Sequence, residues 1–69
     1  MTRMALRRGE HAAVALFRRM TVAELRQYRV ALALDQATTL APATRVFTAR
    51  RVLLIDAELE ARRQARRRR

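Results

Sequence analysis

The chain contains no cysteine, tryptophan, lysine, asparagine or serine, and only one glycine and one proline. Without cysteine, disulfide staples and thiolate zinc sites are excluded. The absence of both serine and cysteine removes the commonest activated nucleophiles. A single glycine leaves no glycine-rich loop to cradle phosphate. The only histidine, His11, lies among arginines and reads as a solvated polar residue. Asp56 and Glu60 stand one helical turn apart, a spacing compatible with metal-binding carboxylates, but no histidine joins them. Arginine partners explain that pair more simply. No catalytic residue, metal or cofactor is therefore expected, and the chain does not read as an enzyme.

Acidic residues are also scarce. Six carboxylates face 16 basic residues, all of them arginine, for a net charge of +10. Arginine and alanine richness without lysine is what GC-rich coding produces. Such coding is equally compatible with Asp and Glu, so it leaves the charge imbalance unexplained. The imbalance points to a polyanionic partner: nucleic acid first, with DNA preferred, and then an acidic protein or, less favoured, an anionic membrane surface.

Long apolar runs are missing too. Charged residues, Asp35 and Asp56 among them, interrupt every stretch that could span a bilayer. The apolar run from Ala12 to Phe17 is short and leads into Arg18 and Arg19, unlike a secretory signal. A cytoplasmic location is the default expectation. At 69 residues the chain forms one small domain, burying only ~60% of its unfolded surface, so packing or oligomerisation must supply stability.

What is present is helical. Pro42 suits the first position of a helix, and from Ala43 to Arg69 no glycine or proline interrupts a run of strong helix formers. Val46, Leu53, Leu54, Ala57 and Ala61 fall along one side, with Phe47 at its edge, while Val52, Ile55 and Leu59 fall roughly opposite. Two apolar sides place this helix either at the centre of its own bundle or against a second chain. Glu58 and Glu60 precede Arg62 and Arg63 at ion-pairing distance along the helix.

Upstream, Leu6, Ala13, Leu16, Phe17 and Met20 line one side of a helix expected over Thr2–Arg19, with Arg3, Arg7, Arg8, His11, Arg18 and Arg19 on the other. Gly9 weakens it locally by roughly 1 kcal/mol relative to alanine. A packed helix with a solvated basic face and a nucleic-acid-facing surface are compatible readings. An organellar presequence is also Arg-rich, but the lack of serine and the orderly join to the next element argue against it. At that join, Thr21-Val22-Ala23-Glu24 is a capping box, with Met20 and Leu25 placed for a hydrophobic staple. A second helix is expected over Val22–Ala37, with Leu25, Tyr28 and Leu32 on one side and Ala23, Val30, Leu34 and Ala37 on another. The short connection Thr38–Ala41 makes this helix and the third, Pro42–Arg67, antiparallel neighbours.

Leu40-Ala41-Pro42-Ala43-Thr44 resembles the turn and early recognition helix of bacterial helix-turn-helix repressors. Thr39 stands where that motif has glycine, Asp35 where it has a small core residue, and Arg45 where it has a buried aliphatic. The following helix is also far longer than a recognition helix, so the segment is read as a plain helix connection.

The expected fold is all-α: an amphipathic first helix, then an antiparallel hairpin with a long third helix, dimerising into a bundle. Residues 62–69 form a basic, fraying end. The expected subunit contact is Val52, Ile55 and Leu59 with Leu25, Tyr28 and Leu32. The three aromatics, Phe17, Tyr28 and Phe47, share helical spacing with Leu or Val and are expected in the core rather than on a base-stacking platform. Functionally, the reading is phosphate-backbone binding by Arg3, Arg7, Arg8, Arg18, Arg19, Arg62, Arg63, Arg66, Arg67, Arg68 and Arg69, with weak sequence preference and an architectural or regulatory role. The alternative is an adaptor or inhibitor that docks an apolar helical face on a partner protein.

Overall fold

In a computed structural model, which describes residues 5–68, three helices follow one another with no strand among the described residues. They are α1 (Glu10–Arg19), α2 (Val22–Thr38) and α3 (Pro42–Arg67). The all-α expectation holds. No described helix is long and apolar enough to cross a membrane. At 1.5 Å per residue the 26 residues of α3 span ~39 Å, and this helix sets the 44 Å long axis of the molecule.

The first helix is shorter than its periodicity suggests. It begins at Glu10, not Thr2, because Gly9 takes the left-handed region at φ 86° and ends any helical path arriving from upstream. A tight turn precedes it: the Glu10 N–H donates to the Arg7 carbonyl at 3.0 Å, and the Arg7 N–H donates to Glu10 Oε1 at 2.6 Å. A Cβ at Gly9 would meet nothing within 4 Å, so backbone conformation alone selects glycine there. Thr2 and Arg3 lie outside the described residues.

The break between α1 and α2 falls where the capping signal sits. Met20 and Thr21 are extended, the Glu24 N–H donates to Thr21 Oγ1 at 3.1 Å, and the Thr21 N–H donates to Glu24 Oε1 at 2.9 Å. Two otherwise orphaned donors are thereby satisfied. At the far end of α2, the Thr38 hydroxyl donates to the Leu34 carbonyl at 3.1 Å and the Thr39 N–H to that of Asp35 at 2.9 Å. Ala41, extended as a residue before proline must be, then hands the chain to Pro42.

Both α1 and α2 pack on α3. The Arg29 guanidinium of α2 meets Asp56 midway along α3, and the Met20 carbonyl meets Arg62 near its far end. Phe17, Leu25, Leu54 and Ile55 are buried, ringed by Leu6, Ala13, Val14, Met20, Leu32 and Leu59. The Phe17 and Tyr28 rings meet edge to face at 5.9 Å.

This packing reassigns the apolar faces. Leu25 and Ile55, expected at a subunit contact, are wholly inside the single chain, with Leu32 and Leu59 against them. The reason is that α3 has two helical neighbours, so its buried arc is wide enough to take in Leu54 from one stripe and Ile55 from the other. Val46, Leu53, Ala57 and Ala61 on α3 face outward, as do Val30 and Leu34 on α2. Leu16, expected to face the core of α1, is likewise exposed, and Val14 packs inward in addition.

The neighbours Leu53 and Ile55 test this assignment. Ile55→Ala is expected to cost about 2–5 kcal/mol, enough to unfold much of so small a domain. Leu53→Ala is expected to fall within about 0.5 kcal/mol. Thermal melts of the two variants read the difference, and equal losses would place both residues in one buried layer.

Candidate nucleic-acid interface

Arginines divide into those the fold holds and those it leaves free. Arg62 belongs to the first group. Its Nη2 donates to the carbonyls of Met20 at 2.7 Å, Phe17 at 2.9 Å and Arg18 at 3.3 Å, while its Nε reaches Glu58 at 3.1 Å. These carbonyls end α1, where acceptors lack helical partners and the macrodipole is negative. A residue expected in the basic tail thus caps another helix in trans.

Arg50 does the same at the other end of α1. Its Nε and Nη2 fork onto both oxygens of Glu10 at 2.8 and 3.0 Å, and Nη2 also reaches the Ala5 carbonyl at 2.7 Å. Both side chains are largely screened from solvent, Arg50 at 17% and Glu10 at 10% exposure. Bonding by the Arg50 side chain, and next by the Arg7 N–H, lowers the Glu10 carboxyl to about 2 despite its burial. The same pairing raises Arg50 above its usual value. Glu24 is lowered by its bonds from the Thr21 backbone and hydroxyl.

Asp56 and Glu60 are taken up by arginines. Asp56 pairs with Arg29 at 2.6 Å, and Glu60 with Arg63 at 3.1 Å. No group of three potential ligands that could hold a metal ion occurs among the described residues. Arg18, largely exposed, lies 3.9 Å from Glu58.

Of the arginines expected at a nucleic-acid surface, the fold brings two sets together. Arg18 and Arg19 end α1 beside the final turns of α3, which carry Arg62, Arg63, Arg66 and Arg67, with Arg68 next to them. Arg7 and Arg8 lie apart from these, along a groove of about 370 Å³ shared with Gly9, Glu10, Val46, Phe47, Arg50 and Arg51. Arg3 and Arg69 fall outside the described residues.

Sequence reasoning missed the contribution of α3 to that groove. Phe47, expected in the core, is 57% exposed, and the Arg51 guanidinium lies over its ring at 4.7 Å. The Glu10–Arg50 pair spans 40 residues and leaves no periodic signal. The glycine preceding Glu10 was the one local hint, since glycine is tolerated as an N-cap.

Two outcomes test this division. Because Glu10 is lowered in the fold, its contribution to stability is complete above the ordinary value of 4.5 and disappears as pH falls from there towards about 2. Urea midpoints for Glu10→Gln should lose part of the wild-type decline across that interval, with the Glu24 share remaining; an unchanged decline would dissociate Glu10 from it. For the capping arginine, Arg62→Ala is expected to cost about 1.5–3 kcal/mol, as charged hydrogen bonds do. Arg63→Ala should cost under about 1 kcal/mol, its ion pair being exposed.

No protein-family model, curated protein or solved structure matches the chain.

Proposed function

We propose that the protein binds nucleic acid, with DNA preferred, through the phosphate backbone and with weak sequence preference, in an architectural or regulatory role. The observation that carries this reading is the set of arginines with no ion-pair partner among the described residues: Arg7, Arg8, Arg19, Arg26, Arg45, Arg51, Arg66, Arg67 and Arg68. Like charges at that density repel one another, and a polyanion relieves the repulsion while releasing its own condensed counterions. They occur along the full length of the molecule, which suits a track of phosphates better than a point ligand.

The reading includes an antiparallel hairpin of α2 and α3 that forms a homodimer. Val30 and Leu34 are 57% and 63% exposed, and Val46 and Leu53 are 63% and 51% exposed. A second copy covering such surface would also double the basic track. These exposed apolar residues also favour the second reading, a protein-interaction module that docks an apolar helical face on a partner and uses charge for steering. Sedimentation at tens of micromolar addresses the dimer; a monomeric mass would remove it.

Salt separates the two functions. Affinity for a random-sequence duplex should fall steeply with salt if phosphate contacts dominate, whereas an interaction module needs almost no duplex affinity. Deleting Arg66–Arg69 is expected to flatten the slope of log affinity against log salt by up to about 3 to 4, similarly for unrelated sequences. The melting temperature should barely move, because exposed charge at a helix end contributes little. If the slope is untouched, the tail is a solvated helix end, and the arginines of the N-terminal turn and α1 become the contacts.

A further inference from the structure

We propose that the groove between residues 5–9 and the first half of α3 takes one unpaired nucleotide of a single strand. Its base would lie against Phe47 and Val46, and its phosphate on Arg7, Arg8 and Arg51. The proposal rests on the nucleic-acid reading above and adds to it a site selective for unpaired bases.

Phe17 is buried and Tyr28 packs edge to face on it, whereas Phe47 lines a groove at 57% exposure. An exposed phenyl ring is a poor surface to leave in water and a good one for any base, since every base has a π-face. The Arg51 guanidinium, 4.7 Å from the ring centroid, sets a donor for phosphate directly beside the ring. The groove volume of about 370 Å³ lies at the lower end of the ~300–1,000 Å³ typical of small-ligand clefts. That suits one planar ring with its sugar, and is too small to admit a duplex.

Charge is arranged around the ring in the same way. Arg50 is neutralised by Glu10 and tied to the Ala5 carbonyl, so it forms part of the frame. Arg7, Arg8 and Arg51 line the groove with no carboxylate paired to them among the described residues. A phosphate is the anion that three forked donors on two sides of a groove accommodate.

The frame also holds the site ready. Glu10 accepts from the Arg7 N–H and from Arg50 at once, and the left-handed turn at Gly9 carries Arg7 and Arg8 alongside α3. Fixing these groups before binding lowers the ordering cost of association. Glu10 and Arg50 are thus positioning residues, and Phe47 with Arg7, Arg8 and Arg51 makes the contact. In a duplex the bases stay stacked inside, so only the arginines engage and Phe47 contributes nothing.

The test measures fluorescence anisotropy of a labelled oligothymidylate and of a labelled duplex of the same length, at one salt concentration. Phe47→Leu keeps the apolar bulk and removes the π-face. It should weaken oligothymidylate binding about 5- to 150-fold, the range for one lost base–aromatic stack, with duplex affinity unchanged. Phe47→Tyr should restore most of the loss. The double variant Arg7→Gln/Arg8→Gln should weaken both ligands. Since Phe47 is exposed, circular dichroism should show unaltered helix content for each ring variant. If wild type binds both ligands and Phe47→Leu leaves them equal to wild type, the groove proposal is overturned while phosphate binding stands. If wild type binds neither, both fall.

Discussion

Two arginines twelve residues apart on α3 hold α1 in place, and the rest of the arrangement depends on that attachment. Arg50 takes Glu10 at the start of α1, and Arg62 takes the carbonyls at its end. The spacing fits the geometry. Twelve residues of α3 rise ~18 Å, close to the ~15 Å from Glu10 to Met20, so a short helix lying parallel to α3 meets both guanidiniums in register. A helix of ten residues has little stability alone, and this one buries only Phe17 and Glu10 fully. Polar attachment at both ends supplies the orientation that a small apolar face would leave undetermined.

Carboxylates are few, and among the described residues all but Asp35 are committed within the fold. Glu10, Asp56, Glu58 and Glu60 each take an arginine, and Glu24 is committed to the cap of α2. Arg62, besides its pair with Glu58, also takes backbone carbonyls, which cost the chain no further acidic residue. The remaining cations have no internal counterpart, so their repulsion persists in the free protein and is available to drive polyanion binding. Arginines held by the fold and arginines without an ion-pair partner among the described residues are therefore near neighbours in sequence: Arg50 beside Arg51, and Arg62 close to Arg66. Charge density alone does not distinguish them.

Local signals were legible in the sequence and long-range ones were not. The capping box at Thr21, proline at the start of α3, and the extent of α3 follow from rules that act within one turn, and the structure carries all three. The start of α1 was misplaced because apolar spacing continues through Leu6, while the positive φ of Gly9 ends the helix without disturbing that spacing. Face assignment failed for a different reason. Periodicity identifies two apolar sides of α3 but not which neighbour covers each, and a helix with two neighbours buries an arc that cuts across both stripes. Phe47 and Leu54 belong to one side in sequence, yet one is 57% exposed and the other 3%.

That failure bears on the functional reading, because one residue it misplaced, Phe47, lies at the surface. An aromatic expected in the core stands beside three arginines with no carboxylate pair among the described residues, in a groove whose walls come from the N-terminal turn and the first half of α3. Neither wall is informative alone. Arg7 and Arg8 read as a solvated basic face, and Phe47 as one more apolar residue on a helix. The Glu10–Arg50 bridge joins them, with Arg50 also on the Ala5 carbonyl, and it does so with a carboxylate that the chain, short of acid, commits to two donors at once. The bridge therefore links the two problems this sequence has to solve. The contact that fixes α1 on α3 is the same contact that sets a cationic turn beside an exposed ring.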